Sequence, residues 1–154
     1  MALLPIKEKS KGIDLAEGCK AVGATTQLEG RYILAITTKG YGKMSDALDY
    51  RKTNRGAKGV ATLKATDKVG DLVTVRAVNG DEDLMVITQN GIVIRTPLEQ
   101  VRIAGRNTQG VKIINLEGRQ RVSSIAVVAH EDDIEEEVEN TVSEETENNE
   151  NKEE

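Results

Sequence analysis

Two pairs of arginines are the side chains in this sequence best placed to bind phosphate groups. Arg51 and Arg55 stand four residues apart, and Arg102 and Arg106 repeat that spacing. Each pair lies in a glycine-containing segment that ends in Gly-Val: residues 50–60 read YRKTNRGAKGV and residues 101–111 read VRIAGRNTQGV. Guanidinium and ammonium groups neutralise phosphates and release counterions without reading bases. The two segments therefore predict non-specific contacts to a duplex DNA backbone.

The two segments belong to an internal repeat with an offset of 51 residues. Other pairs at this offset are Ile36 with Ile87, Thr37 with Thr88 and Gly40 with Gly91. A period of about 50 residues is the signature of a repeat architecture. We place the repeats at about residues 31–79 and 84–128. A partial repeat covers residues 1–28, where Lys11-Gly12-Ile13 echoes the Gly-Val ends.

Each repeat presents its basic segment at the same point, just before a strand that enters the core. Asn54 and Gly56 in one copy, and Gly105 and Asn107 in the other, tolerate positive φ and favour a loop. The alternative to binding is a solvated basic surface with ordinary turn residues, but arginines that recur in register favour binding. The candidate phosphate contacts are Arg51, Lys52, Arg55, Lys58, Arg102, Arg106 and Lys112.

Closely spaced strand patterns predict an all-β fold. We predict strands at residues 20–25, 31–38, 41–45, 59–64, 71–78, 84–88, 92–96, 111–116 and 121–128. Asn90-Gly91 is the strongest hairpin signal, and no segment of residues 1–129 predicts a helix. About four strands per repeat describe a propeller blade. We therefore expect a partial β-propeller or β-pinwheel of about two and a half four-stranded blades.

The formal charge of −5 divides into a basic body and an acidic tail. Residues 1–129 carry 20 Lys+Arg and 13 Asp+Glu, a net of +7, whereas residues 130–154 carry 1 Lys and 13 acids, a net of −12. The body is the predicted DNA-binding domain, and the tail is predicted to be disordered. A disordered polyanion can compete with DNA for the basic surface, or it can be a passive solubilising appendage.

The remaining residue types exclude several kinds of site. Cys19 is the single cysteine and His130 the single histidine, so neither a disulfide nor a metal cluster is expected. We interpret Cys19 as a buried or half-buried thiol and His130 as a solvated residue. No apolar run is long enough to span a membrane. No cofactor is expected in this chain, and Lys39-Gly40-Tyr41-Gly42-Lys43 lacks the following helix that a phosphate cradle needs.

Two other classes of function are weighed against DNA binding. A propeller-type protein-interaction module would show aromatic anchors, and single-stranded nucleic acid would need stacking rings. Tyr32, Tyr41 and Tyr50 are the only aromatic residues, and we interpret them as core or rim side chains. An enzyme in its own right would need catalytic groups, and the sequence offers neither a catalytic histidine nor paired acids in a cleft-like context.

The stretch 105–111, together with the Ile87-Thr88-Gln89-Asn90-Gly91 turn and the copy at residues 55–60, resembles the C-terminal domain of the A subunit of bacterial DNA gyrase. The resemblance covers residues 1–129. It implies a six-bladed β-pinwheel that wraps duplex DNA around its basic rim, with this chain forming the last two and a half blades. The related A subunit of topoisomerase IV shares the blade repeat and stays an alternative.

The resemblance also implies what the whole enzyme would need. DNA gyrase performs ATP-dependent negative supercoiling in the bacterial cytoplasm, at the nucleoid, as a heterotetramer of A and B subunits. ATP and Mg²⁺ would belong to the other subunit. This sequence departs from the family because it lacks the Gln-Arg-Arg-Gly-Gly-Arg-Gly wrapping loop and the region of the catalytic tyrosine. It therefore carries neither the cleavage chemistry nor the main wrapping determinant.

Overall fold

The computed structural model describes residues 12–130, and these residues form two antiparallel β-sheets. The strands are β1 (Tyr32–Thr37), β2 (Tyr41–Asp46), β3 (Leu72–Val78), β4 (Asp83–Thr88), β5 (Val93–Pro97), β6 (Val111–Lys112) and β7 (Val122–Val128). The first sheet has the order β3-β1-β2-β6, and the second has the order β5-β4-β7. The described residues contain no α-helix, only single 3-10 turns at Gln27–Glu29, Ala47–Asp49 and Leu98–Gln100. The all-β prediction is confirmed.

The same hairpin joins the first two strands of each sheet. The Thr37 hydroxyl bonds to both the amide (3.2 Å) and the carbonyl (3.1 Å) of Tyr41, and Thr88 does the same with Ile92 (3.1 and 3.3 Å). Gly91 has a φ of 79°, the left-handed conformation in which glycine carries no Cβ penalty. The hairpin predicted at Asn90-Gly91 is therefore confirmed.

One aliphatic core joins the two sheets. β1 contributes Leu34 and Ile36, and β4 contributes Leu84 and Val86, all 0–1% exposed. The remaining buried members are Met44, Val78, Leu98, Val101, Ile114 and Val122. The aromatic residues lie outside this buried set, and Tyr32 packs half-buried against it. Because each sheet buries one face against the other, neither repeat would form its core alone.

β6 belongs to the second repeat in sequence but to the first sheet in space. Val111 pairs with Gly42 and Lys112 pairs with Tyr41 of β2. The strand predicted at residues 111–116 therefore ends after two residues. The chain turns there because the amides of Ile113 and Ile114 both donate to the Gly40 carbonyl (2.9 and 3.2 Å). Because β6 pairs with β2, it ties the second basic segment to the first sheet.

The strands predicted at residues 20–25 and 59–64 are wrong. Neither stretch forms a strand, and each is attached to its neighbours by isolated bonds and not by a ladder. The Ala77 amide donates to the Thr25 hydroxyl (3.0 Å), and the Lys64 amide donates to the Thr108 carbonyl (3.0 Å). Within residues 12–130, no strand lies beside 59–64 as β2 lies beside β6. Residues 1–11 and the predicted acidic tail from residue 131 onward lie outside the described residues.

The pairing of β6 with β2 depends on glycine most strongly at Gly110. Its φ is 76°, and a Cβ built there would stand 2.5 Å from the Gly42 carbonyl oxygen. In Gly110→Ala, the cost of the strained backbone and the cost of the backbone clash would sum. We therefore expect this variant to lower the free energy of unfolding by about 2 kcal/mol or more in urea titrations.

Gly105 supplies the matched control for Gly110. It lies in the same loop, has no positive φ, and a Cβ there meets nothing within 4 Å. We expect Gly105→Ala to change the free energy of unfolding by no more than ~0.5 kcal/mol. Equal losses for the two variants would show that the close approach of Gly110 to β2 does not hold the loop.

Candidate nucleic-acid interface

We define the first basic loop as residues 50–60 and the second basic loop as residues 101–110. Six of the seven candidate cations are exposed, and Arg106 is half-buried. The exposed ones are Arg51, Lys52, Arg55, Lys58, Arg102 and Lys112. Positive φ falls on Gly59 and Gly110, which match at the repeat offset, and on Gly56. Asn54, Gly105 and Asn107, which the sequence also offered, do not use it.

The Lys43 side chain, from β2, hydrogen-bonds to the second basic loop. It is fully buried, and its ammonium donates to the carbonyls of Gly105 and Arg106 and to the Thr108 hydroxyl (3.1 Å). Burial lowers the pKa of the Lys43 ammonium, and the positive charge of nearby Arg106 lowers it further. This lysine therefore shapes the loop and is too deep to meet a phosphate itself.

The outer edge of β2 fixes the start of the second basic loop. The Met44 amide donates to the Arg102 carbonyl (3.1 Å), and the Ala104 amide donates to the Met44 carbonyl (2.8 Å). The Ser45 hydroxyl also donates to the Ala104 carbonyl (2.7 Å). Because the Arg102 carbonyl and the Ala104 amide are both bonded to Met44 of β2, the exposed Arg102 side chain projects from backbone that is fixed to a sheet.

Arg106 connects the two basic loops. One of its NH groups donates to the Ala61 carbonyl (3.1 Å), and its guanidinium carbon lies 5.6 Å from the centre of the Tyr50 ring. The bond from the Lys64 amide to the Thr108 carbonyl joins the same two regions. These contacts place the second basic loop against the first basic loop and the residues that directly follow it.

The first basic loop is held by the chain that precedes the sheets. The Gly56 amide donates to the Gly12 carbonyl (3.0 Å), and the Asp14 amide donates to the Ala57 carbonyl (2.9 Å). Ile13 and Ala57 form an isolated parallel bridge. Gly12 and Ile13, which belong to the weak echo of the Gly-Val ends, therefore pack against the first basic loop.

Two residue interpretations from the sequence need correction. Cys19 is exposed and not buried, because it follows a turn in a segment without strand neighbours. His130 is not simply solvated, since its Nδ1 lies 2.7 Å from a carboxylate oxygen of Asp83. Nothing in the sequence pattern signalled this pair, which spans 47 residues.

Asp83 is buried at the start of β4, and its carboxylate contacts Arg95 and His130. Arg95 Nε donates to its Oδ2 (2.6 Å), and His130 bonds to its Oδ1 (2.7 Å). The His130 hydrogen bond lowers the pKa of Asp83 most, burial opposes this, and Arg95 lowers the pKa further. The carboxylate is thus favoured in the folded state over the unfolded chain.

The lowered pKa of Asp83 predicts a pH-dependent stability. Its contribution is complete above the unfolded-state pKa, ~4, and is lost as the pH falls through the folded-state pKa. We expect Asp83→Asn to be less stable than the parent at pH 7, with the gap closing below pH ~4. Urea unfolding from pH 7 to 3 measures this. Asp81→Asn, an exposed neighbour, is the control; if it shows the same profile, the buried pairs are not the cause.

Other kinds of site find no support in the part of the chain that the structure describes. No group of three His, Cys, Asp or Glu residues among residues 12–130 could hold a metal ion. None of the helical turns in this range is long and apolar enough to cross a membrane.

Comparison with known proteins identifies the repeats. A family model described as "DNA gyrase C-terminal domain, beta-propeller" matches residues 31–79 and 82–129. The A subunit of DNA gyrase from Ureaplasma parvum serovar 3 is 48% identical over 117 residues, which is 76% of this chain and 14% of that protein. The same protein from Staphylococcus aureus is 41% identical over 137 residues, 87% of this chain and 16% of that protein. The chain thus spans about one seventh of these relatives.

Solved structures share the fold at lower sequence identity. A DNA gyrase A C-terminal domain matches with a TM-score of 0.61 and 24% identity, covering 64% of this chain and 34% of that one. The C-terminal domain of a DNA topoisomerase IV matches with a TM-score of 0.64 and 18% identity, covering 78% and 38%. These likenesses support the β-propeller fold.

Proposed function

The chain belongs to the family of DNA gyrase C-terminal, beta-propeller domains, and we propose that its two basic loops bind the backbone of duplex DNA without regard to base sequence. The observation that carries this proposal is the adjoining placement of the two loops. Arg51 and Arg55 recur in register as Arg102 and Arg106. The backbone that carries the second pair is held in place by β2 and by the Lys43 ammonium.

The chemistry of these loops suits a phosphate backbone. Each cation that neutralises a phosphate releases condensed counterions, which makes binding salt-dependent and indifferent to sequence. The bond from Arg106 to Ala61 uses one of the five N–H donors of a guanidinium, so this side chain can bind a phosphate and keep its place between the loops. The contacts position the duplex; they do not read it.

The whole protein would be the A subunit of DNA gyrase, which the names of the curated relatives support over topoisomerase IV. In that setting this region would help to wrap DNA during ATP-dependent negative supercoiling. Its partners would be the rest of its own polypeptide and the gyrase B protein, in the bacterial cytoplasm at the nucleoid. ATP and Mg²⁺ would be bound by the B protein, and no residue of this chain is assigned to either.

Fluorescence anisotropy with labelled DNA tests the proposed function. Two 40-base-pair duplexes of unrelated sequence should bind with affinities within about twofold of each other. A single strand should bind more weakly, because the one aromatic ring of the loops, that of Tyr50, is half-buried and already in contact with the Arg106 guanidinium. A strong preference for one duplex, or no binding to either at low salt, would overturn the proposal.

A further inference from the structure

A second basic surface lies outside the repeated loops, in a cleft of about 300 Å³. Four cations line it, and each comes from a different segment of the fold. Lys39 lies in the β1–β2 turn, Lys68 in the loop before β3, Lys112 in β6, and Arg121 next to the start of β7. The other lining residues are Tyr41, Leu116, Gly118 and Gln120.

Contacts within the protein order three of these cations. The Lys39 ammonium donates to the Asp67 carbonyl, and Lys68 Nζ lies 5.8 Å from the centre of the Tyr41 ring. An NH group of Arg121 donates to the Gln120 carbonyl (2.8 Å). Because none of these partners is a carboxylate, the positive charge of each side chain stays uncompensated by these contacts.

The distribution of acids favours an anion in this cleft. None of the residues that line it is acidic, whereas Asp67 and Asp71 line an adjoining cleft that shares Lys39 and Arg121. Four positive charges around a cavity without a carboxylate repel one another, and an anion of two or more charges relieves that repulsion.

The cleft is built by the packing of the repeats and is not itself repeated. At the repeat offset, Lys39 corresponds to Asn90 and Tyr41 to Ile92. The second repeat therefore has neither the cation nor the ring at these two positions. The cleft nevertheless continues the surface of the second basic loop. Lys112, two residues after that loop, lines the cleft. Tyr41 of the cleft lies about 10 Å along β2 from Met44, which bonds to the backbone of the loop.

We infer that this cleft is a second phosphate-binding site, at the junction between the two sheets. Phosphate groups could reach it from two sources, a duplex that already lies on the basic loops or a free polyphosphate anion. The inference rests on the proposed function only for the first source.

The test removes two charges from the cleft and compares an equal loss elsewhere. The variant is Lys68→Ala/Arg121→Ala, and the control is Lys20→Ala/Arg119→Ala, whose residues are exposed and do not line the cleft. If duplex phosphates use the cleft, the variant should lose roughly tenfold in affinity at 0.1 M salt and its salt slope should fall by about two. The control should change affinity by less than about threefold.

Inorganic tripolyphosphate tests the cleft without DNA. NMR titration of the parent should shift the backbone amides of residues 39, 68, 112 and 121, and the shifts should disappear in the variant but remain in the control. Loss of duplex affinity in the variant assigns the cleft to DNA, and amide shifts without that loss assign it to free polyphosphate.

The two proposals fail in different ways. A parent chain that binds no duplex contradicts the proposed function. The tripolyphosphate titration still tests whether the cleft binds phosphate groups. If tripolyphosphate shifts no cleft amide and the variant binds duplex as the control does, the inference is overturned.

Discussion

Duplex affinity should fall by between about tenfold and sixtyfold at 0.1 M salt when Arg102 and Arg106 are both changed to alanine. Each lost phosphate contact removes ~0.9 from the slope of log K against log salt, so two contacts account for at most about 60-fold at this concentration. Arg102 is exposed on a backbone fixed to β2, whereas Arg106 is partly engaged with Ala61. We therefore expect Arg102→Ala alone to give more than half of the loss on a logarithmic scale.

The loss should be equal on duplexes of unrelated sequence, because phosphate contacts carry no base information. Arg76→Ala/Arg119→Ala is the control, since both residues are exposed and lie outside the basic loops. Thermal unfolding of each variant separates binding from stability, because Arg106→Ala also removes the bond to Ala61. If the Arg102/Arg106 variant is folded and binds like the control, the second basic loop is not the contact surface.

Lys43→Met should destabilise the chain by about 2–4 kcal/mol and loosen the second basic loop. The methionine keeps the buried apolar stem but removes the ammonium that donates to the carbonyls of Gly105 and Arg106, and the Gly105 carbonyl keeps only the Thr108 hydroxyl as a donor (3.0 Å). Each lost hydrogen bond to a charged group costs ~1.5–3 kcal/mol, and relief of the buried charge offsets part of that loss. Urea unfolding measures the free energy, and hydrogen exchange measures the amides of residues 104–110.

A local effect distinguishes the Lys43 bonds from general packing. Hydrogen exchange should accelerate in residues 104–110 well before it does in β1 or β4, since the lysine bonds to that loop alone. Lys64→Met is the control, because Lys64 is exposed, and it should change stability by less than ~0.5 kcal/mol. Unchanged exchange in residues 104–110 of Lys43→Met would show that the loop is rigid without this residue.

The features that the sequence predicted have local signals. The hairpin at Asn90-Gly91 depends on a glycine φ that two adjacent residues determine. Strands 84–88 and 121–128 follow from short β-branched runs, and the observed strands Asp83–Thr88 and Val122–Val128 agree within one residue. The basic loops were found because their arginines recur at one offset.

The features that the sequence did not predict depend on contacts between distant segments. Lys43 reaches carbonyls 62 and 63 residues away, and its counterpart in the second repeat is Ile94, so the repeat gives no signal for it. The pairing of β6 with the first sheet was also missed, because the repeat shows which residues correspond and not which sheet they join. Cys19 was misplaced for the same reason, since its burial is decided by neighbours that the segment lacks.

The dependence of duplex binding on salt tests the central claim most directly, because it counts the phosphates that the basic loops neutralise. The slope of log K against log salt should be measured for the parent and for a variant with Arg51, Arg55, Arg102 and Arg106 changed to alanine, each on two unrelated duplexes. The two-loop surface predicts that the variant's slope is smaller by about three to four on both duplexes. A folded variant with the parent's slope would contradict it.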